Sequence, residues 1–124
     1  MGVTLYGNDS VTLTVEVPRV LRGTPVLFVE ARALRNPRSA RVYVEVYIEG
    51  ADGKEHEVGT FTFFGVTREA DKRALVFPLD SVQREAVAVS EEARVRVAMN
   101  PFDAKDGDVS DVRVELRAWI EVRG

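Results

Sequence analysis

Four aspartates in one short segment are the first residues whose type and spacing could do chemistry. They are Asp103, Asp106, Asp108 and Asp111. Carboxylates at this density can hold Ca²⁺, a hard cation that prefers oxygen ligands. The spacing does not match an EF-hand, because Phe102 and Ala104 occupy ligand positions ahead of Asp106-Gly107 and no glutamate closes the loop at the required distance. The segment is therefore predicted to be a polar turn, with a calcium site as the weaker alternative.

The chain lacks the residues that hydrolytic catalysis or a transition-metal site would need. The chain has one histidine, His56, and no cysteine. A hydrolytic triad needs a base beside a nucleophile, and a zinc or copper site needs several imidazole or thiolate ligands. The glutamate pairs Glu45 with Glu49 and Glu115 with Glu121 are interpreted as parts of solvated charged faces. We expect no catalytic residue and no cofactor in this chain.

The charge balance argues against two classes of partner. The 17 basic and 20 acidic residues leave a formal net charge of −3, and with both signs interspersed no basic stripe can follow a phosphate backbone. No apolar run reaches the roughly 20 residues of a membrane helix, and Met1-Gly2-Val3-Thr4 lacks the features of a signal peptide. We expect no nucleic-acid or membrane partner, a monomer or weak oligomer, and a cytoplasmic location by default, although the compartment stays open.

The elements that must position these side chains alternate between apolar and polar residues. Over residues 112–122 every second residue is apolar and most of the others are charged, which is the pattern of a half-buried strand. The same pattern, or a shorter apolar run bounded by turn residues, predicts six further strands, which makes about seven in all. The six are residues 11–17, 26–34, 42–49, 56–64, 74–79 and 94–99.

Turn signals separate these strands. Clusters of Gly, Pro and Asn at residues 23–25, 36–39, 50–53 and 100–101 each predict a turn. Asp80 and Gln83 have the spacing of a capping box, so one or two helical turns are predicted over residues 80–87. With no linker or repeat, residues 1–124 are predicted to be one domain. Alternating strands need a second sheet over their apolar faces, so the predicted fold class is an all-β antiparallel sandwich of about seven to eight strands.

Aromatic residues on the polar sides of two strands suggest a docking face. Tyr43 and Tyr47 alternate with valines on one strand, and Arg117 and Trp119 occupy the polar side of the last strand. Aromatic residues and arginines are enriched at the centres of protein interfaces. The alternative is that a loop or the short helix covers one of these faces, which would make its aromatics a satellite core.

Three segments, in their order along the chain, resemble the C-terminal domain of tyrosinases and polyphenol oxidases. They are residues 24–30, 41–50 and 59–66, and the most specific piece is Gly59-Thr60-Phe61-Thr62-Phe63-Phe64-Gly65. A downstream strand ending in Phe77-Pro78-Leu79-Asp80, a short helical turn and a last strand are also similar to that family. The resemblance therefore spans nearly the whole chain.

The resemblance implies a jelly-roll-like sandwich that covers the dicopper site of a separate tyrosinase-type catalytic domain and holds that enzyme latent. The two copper ions and their histidine ligands would belong to the partner domain. In that family one side chain of the covering domain enters the substrate cavity. A loop-tip aromatic that the core does not need suits this role, so Phe102, which follows Pro101, is the candidate and Tyr6 the alternative.

Two other functions stay open. A free-standing module could use the same sandwich to bind a glycan or a protein, because a fold does not determine a function. A redesigned sandwich with no partner would also fit the composition, which has 22 valines against 2 isoleucines and 14 arginines against 3 lysines.

Overall fold

The computed structural model describes residues 2–18, 23–38, 40–50, 53–62, 73–80, 83, 91–103, 105 and 107–123. Eight β-strands lie within these residues. They are β1 (Val3–Tyr6), β2 (Ser10–Glu16), β3 (Thr24–Arg35), β4 (Val42–Glu49), β5 (Glu55–Thr62), β6 (Arg73–Pro78), β7 (Glu92–Pro101) and β8 (Arg113–Arg123).

The strands form two four-stranded sheets in which every pairing is antiparallel. Sheet A has the order β1-β8-β3-β6, and sheet B has the order β2-β7-β4-β5. This strand order is that of a jelly roll, a sandwich built from two Greek keys. The predicted all-β antiparallel sandwich of seven to eight strands is confirmed.

Strand β4 shows how the alternating pattern builds the core. Val42, Val44, Val46 and Ile48 are fully buried, and the residues between them are half-buried on the outer side of sheet B. Both sheets contribute the largest fully buried side chains, which are Leu5, Leu27, Val29, Val42, Val44, Val46, Ile48, Val95, Val97, Met99 and Leu116. Because a register slip of one residue would expose a strand's apolar set to water, burial determines the register.

One predicted turn is wrong, because Asn100 and Pro101 continue β7 and pair with Tyr43 and Val42. Proline has no N–H and usually interrupts a sheet. Met99, two residues earlier, exchanges hydrogen bonds with the backbone ahead of β2, through Asp9 O at 3.0 Å and Asn8 N at 2.9 Å. Pro101 therefore faces the same side as Met99, but at a position beyond the start of β2. An N–H there would have no partner in β2, so the proline costs the sheet no hydrogen bond.

The predicted capping box is present. The Gln83 N–H donates to Asp80 Oδ1 at 2.9 Å, and the Asp80 N–H donates to Gln83 Oε1 at 2.9 Å. Gln83 Nε2 also donates to the carbonyl oxygen of Glu57 in β5, at 2.8 Å. The rest of the predicted helical turn, residues 81–82 and 84–87, lies outside the described residues, as do residues 63–66 of the segment 59–66. No helix in the described part of the chain has the length and apolar character to cross a membrane.

Candidate functional site

The four residues of the predicted docking face do not form one surface. Tyr43 and Tyr47 lie on the outer face of sheet B, whereas Arg117 and Trp119 lie on the outer face of sheet A. The inner faces of the two sheets pack against each other, so outward side chains of different sheets point in opposite directions. None of the three aromatic rings lies inside the sandwich, and we describe each outer face separately.

The outer face of sheet B, here called face B, carries a connected set of polar and aromatic side chains around Glu45. The Tyr47 hydroxyl donates a hydrogen bond to Glu45 Oε2, and Asn100 Nδ2 donates to Glu45 Oε1 at 3.1 Å. These side chains come from two adjacent strands, since β4 carries Glu45 and Tyr47 while β7 carries Asn100. One carboxylate is thereby held by a phenol and an amide, and its remaining lone pairs can accept hydrogen bonds from a ligand.

Arg96 extends this set toward β5. Its Nε and Nη2 atoms donate to the two carboxylate oxygens of Glu55 at 2.7 and 3.2 Å. Its guanidinium carbon lies 4.4 Å from the ring centroid of Tyr47, a cation–π contact. The bidentate pair and the ring contact together restrict Arg96 to one orientation, so its remaining donors are presented in a defined direction.

One row of cross-strand neighbours crosses face B between two rows of larger side chains. Ala98 pairs with Ser10 on one side and with Glu45 on the other, and Glu45 pairs in turn with Thr60. The neighbouring rows contain Arg96 beside Tyr47 and Asn100 beside Tyr43. Since the Ala98 side chain is a single methyl group, it is the smallest of this row and leaves the side of Glu45 that faces β7 uncrowded.

Face B is acidic. Its described strands present six glutamates against two arginines, namely Glu16, Glu45, Glu49, Glu55, Glu57 and Glu92 against Arg94 and Arg96. The hydrogen bond that Tyr47 donates to Glu45 raises the pKa of that phenol, with desolvation adding to the rise. The hydrogen bond to Glu55 raises the pKa of the Arg96 guanidinium. Tyr47 therefore stays a neutral donor and Arg96 a cation across the physiological range.

The outer face of sheet A carries an aromatic pair between arginines. Phe28 and Trp119 are cross-strand neighbours whose parallel rings lie 5.4 Å apart. Arg123 lies 5.1 Å from the Phe28 centroid and Arg117 lies 5.9 Å from the Trp119 centroid. Trp119 Nε1 donates to Glu121 at 3.1 Å. Phe28 is buried and Trp119 is half-buried, so little of this aromatic surface is exposed.

The described aspartates of the candidate calcium site form hydrogen bonds or ion pairs with other residues. Asp111 accepts two hydrogen bonds of 2.8 Å from Arg38. Asp103 faces Arg41 at 3.2 Å, and Asp108 Oδ1 accepts bonds from Asn8 and Ser110. Asp106 lies outside the described residues. Within the described part of the chain no three His, Cys, Asp or Glu side chains are grouped to hold a metal ion. These bonds fit the expected polar turn, which here joins the β7–β8 connection to its neighbours.

The bond between Arg38 and Asp111 should make stability depend on pH. It lowers the pKa of Asp111 from its ordinary 3.8 and raises that of Arg38. A lowered pKa in the folded state gives stability that is present above the ordinary value and lost as the pH falls through the folded value. The melting-temperature difference between the parent chain and Asp111→Asn should therefore shrink as the pH falls below 3.8. Arg38→Gln should show the same shrinkage, and a difference independent of pH would contradict this.

The two candidate cavity residues lie at one end of the sandwich. Phe102 and Tyr6 are each 47% exposed. The Phe102 N–H donates to the carbonyl oxygen of Arg41, whose guanidinium lies 5.7 Å from the Phe102 ring centroid. Tyr6 ends β1 on the outer side of sheet A, opposite Arg113. Both rings are accessible, as an inserted side chain would need to be.

Sequence reasoning missed the partners of Tyr47. Arg96 and Asn100 were assigned to no site, and Glu45 was interpreted as a solvated residue. The period of two put Tyr43, Glu45 and Tyr47 on one side of β4, but which strand lies beside β4 depends on pairing across the sheet. The sequence did indicate that Arg94, Arg96 and Asn100 share the outward side of β7, because they alternate with apolar residues there.

Comparisons with known proteins give a distant structural likeness. No protein-family model and no curated protein matches the chain. Among solved structures, a "Family 16 Carbohydrate Binding Module-2" is similar over 97% of this chain and 75% of its own, with 13% sequence identity and a TM-score of 0.41. This likeness is too distant to assign a family or a ligand. The resemblance to tyrosinase C-terminal domains stays a prediction from the sequence.

Proposed function

We propose that this chain is a non-catalytic binding module and that face B binds an uncharged saccharide chain. The observation that carries the proposal is the ordered set of Tyr47, Glu45 and Asn100, with Arg96 held against Tyr47. These groups lie on the outer face of sheet B, half-buried and turned away from the core between the two sheets. The set is built before any ligand arrives, which reduces the ordering cost of binding.

The chemistry of face B suits a polyhydroxylated ligand. A sugar ring has apolar C–H faces, which pack against aromatic side chains, and hydroxyl groups, which both donate and accept hydrogen bonds. Tyr43 supplies half-buried aromatic surface beside Asn100. Glu45 supplies the acceptor, and Arg96 and Asn100 supply donors. Hydrogen bonds to ionised groups are the stronger ones, so Glu45 and Arg96 contribute most to orientation.

The charge of the described strands of face B disfavours anionic ligands. A surface with more glutamates than arginines repels phosphate, nucleic acid and acidic polysaccharides. The row of Ala98 and Glu45 runs from β2 to β5, about 14 Å across three strand spacings. An extended uncharged chain can lie across this row and bond to the Glu45 carboxylate at its centre.

Affinity electrophoresis in gels containing neutral glucan, mannan or xylan tests this function. The parent chain should be retarded in at least one gel, and Tyr43→Ala and Glu45→Ala should each weaken retention about tenfold or more. Tyr6→Ala is the matched control, since it removes an equally aromatic side chain from the outer side of sheet A. Absence of retardation in every neutral gel, or an equal loss with Tyr6→Ala, would contradict the proposal.

A second candidate is the cover for a dicopper site that the sequence resemblance implies. The exposure of Phe102 and Tyr6 at one end of the sandwich favours it. Its partner would be a tyrosinase-type catalytic domain that carries both copper ions. Diphenol oxidation by such a domain should fall when this chain is added and recover with Phe102→Ala. Unchanged turnover at saturating concentrations would exclude this function.

A further inference from the structure

Arginines outnumber acidic residues on the outer face of sheet A. Strands β1, β3 and β8 present five arginines against three glutamates there, namely Arg32, Arg35, Arg113, Arg117 and Arg123 against Glu30, Glu115 and Glu121. Each glutamate pairs with one arginine, Arg32–Glu115 at 3.1 Å, Arg117–Glu30 at 4.0 Å and Arg123–Glu121 at 3.8 Å. The two arginines left over are Arg35 and Arg113, and neither forms an ion pair within the described residues.

These two arginines lie directly opposite each other. Arg113 of β8 pairs with Arg35 of β3 on one side and with Tyr6 of β1 on the other. The three side chains therefore form one line across the sheet, here called the arginine row. Directly opposite side chains have Cβ atoms about 5 Å apart, and like charges in this arrangement repel each other. An anion held by both guanidinium groups would offset that repulsion.

A β-bulge in β3 produces this pairing. The register with β8 shifts between Arg32 and Arg35, so that Ala33 and Leu34 together face one residue of β8. Without the extra residue, Leu34 would lie opposite Arg113 on the outer side, whereas in the structure Leu34 is buried and Arg35 takes that place. Ala33 has a φ of +53°, a left-handed conformation that is unfavourable for every residue except glycine. Strain of this kind occurs most often at functional sites.

A cavity adjoins the arginine row. It has a volume of about 160 Å³ and is lined by Thr4, Tyr6, Ala33, Arg113, Val114 and Glu115. Tyr6 is 47% exposed, and its hydroxyl and that of Thr4 can donate hydrogen bonds beside the guanidinium group of Arg113. Glu115 also lines the cavity, and its charge is balanced by Arg32. The charge at the cavity is therefore set by the two arginines of the row.

We propose that the arginine row binds a tetrahedral oxyanion, the phosphate or sulfate group of a small ligand. Such a group presents three terminal oxygens, one each for Arg35, Arg113 and the Tyr6 hydroxyl. Hydrogen bonds from a guanidinium group to an oxyanion are charge-assisted and are among the stronger ones. A planar carboxylate has only two oxygens, so it would leave one of the three donors without an acceptor. This site lies on the opposite side of the sandwich from face B and is independent of saccharide binding there.

Titration of the full chain with inorganic phosphate and with sulfate, at constant ionic strength, tests the site. The Nε–H signals of Arg35 and Arg113 in ¹H–¹⁵N NMR spectra should shift together and saturate with one dissociation constant. Acetate, a planar carboxylate, should bind at least tenfold more weakly. Phenyl phosphate and phenyl sulfate distinguish the two oxyanions, and the ester that binds more tightly identifies the group that the site recognises.

Arg35→Gln and Arg113→Gln should each weaken oxyanion binding at least tenfold, and Tyr6→Phe about threefold. The matched control is Arg123→Gln, which removes the same charge from the same side of β8 but at its far end, opposite Thr24. It should change the dissociation constant less than twofold. An equal loss with Arg123→Gln would mean general charge attraction only and would overturn the proposal. Acetate binding as tight as that of sulfate, or no saturable shift at millimolar oxyanion, would overturn it too.

Discussion

Gly7→Ala should destabilise the folded chain by at least about 3 kcal/mol, the upper end of the usual cost of overpacking. An added Cβ at Gly7 would lie 1.9 Å from the carbonyl oxygen of Val109 and 2.6 Å from its carbonyl carbon. Backbone atoms cannot move aside as a flexible side chain can. Relief of the clash would have to displace Gly7, whose N–H donates to Val112, or the connection that carries the fully buried Val109.

The control for this substitution is Gly53→Ala. Gly53 has a φ of +72°, and an added Cβ there meets no atom within 4 Å. Its replacement should cost about 1 kcal/mol, the penalty for a left-handed residue that is not glycine. Denaturant unfolding of both variants measures the difference. If Gly7→Ala cost no more than Gly53→Ala, the β7–β8 connection would not pack against Gly7 as described.

Leu27→Ala should cost about 3 kcal/mol, because it leaves a cavity in a core that cannot collapse completely. Leu27 is completely buried in β3 between Ile120 of β8 and Phe77 of β6. Strand β3 is held by ladders to β8 on one side and β6 on the other, so its backbone has little freedom to close the space. Chemical denaturation should show a lower midpoint with an unchanged dependence on denaturant.

Val76→Ala is the matched control on the same sheet. Val76 pairs with Phe28 on the outer side of sheet A and is 52% exposed. Removing its methyl groups should change the free energy of unfolding by no more than about 0.5 kcal/mol. A larger loss for Val76→Ala than for Leu27→Ala would mean that the two faces of sheet A have been exchanged.

Residue order was sufficient for the strands and for most of the side chains that face the core, although Phe28 and Glu30 on the outer side of β3 are buried as well. The predicted strand 42–49 coincides with β4, and the capping pair of Asp80 and Gln83 forms as its spacing predicts. These features depend on neighbours within a few residues, through the period of two and local side-chain bonds to the backbone. Asn100 and Pro101 are an exception, since a proline at a strand end is tolerated only because of where β2 begins.

Residue order alone could not show which residues come together in the candidate site. Asn100 and Glu45 are 55 residues apart, and Arg38 and Asp111 are 73 apart. Strand order brings these pairs together, and it also sends Trp119 to the opposite side of the molecule from Tyr47. A period of two says whether a side chain points in or out, but not which sheet its strand joins.

The sequence by itself therefore determined an all-β sandwich and the in-or-out direction of its strand residues, because alternation and turn chemistry are local properties. Only the tertiary structure decided that Glu45 is held by Tyr47 and Asn100 and that the aspartates near β8 bind arginines of other segments. Each of these depends on which of the eight strands lie side by side, and that choice is made by the packing of all of them together.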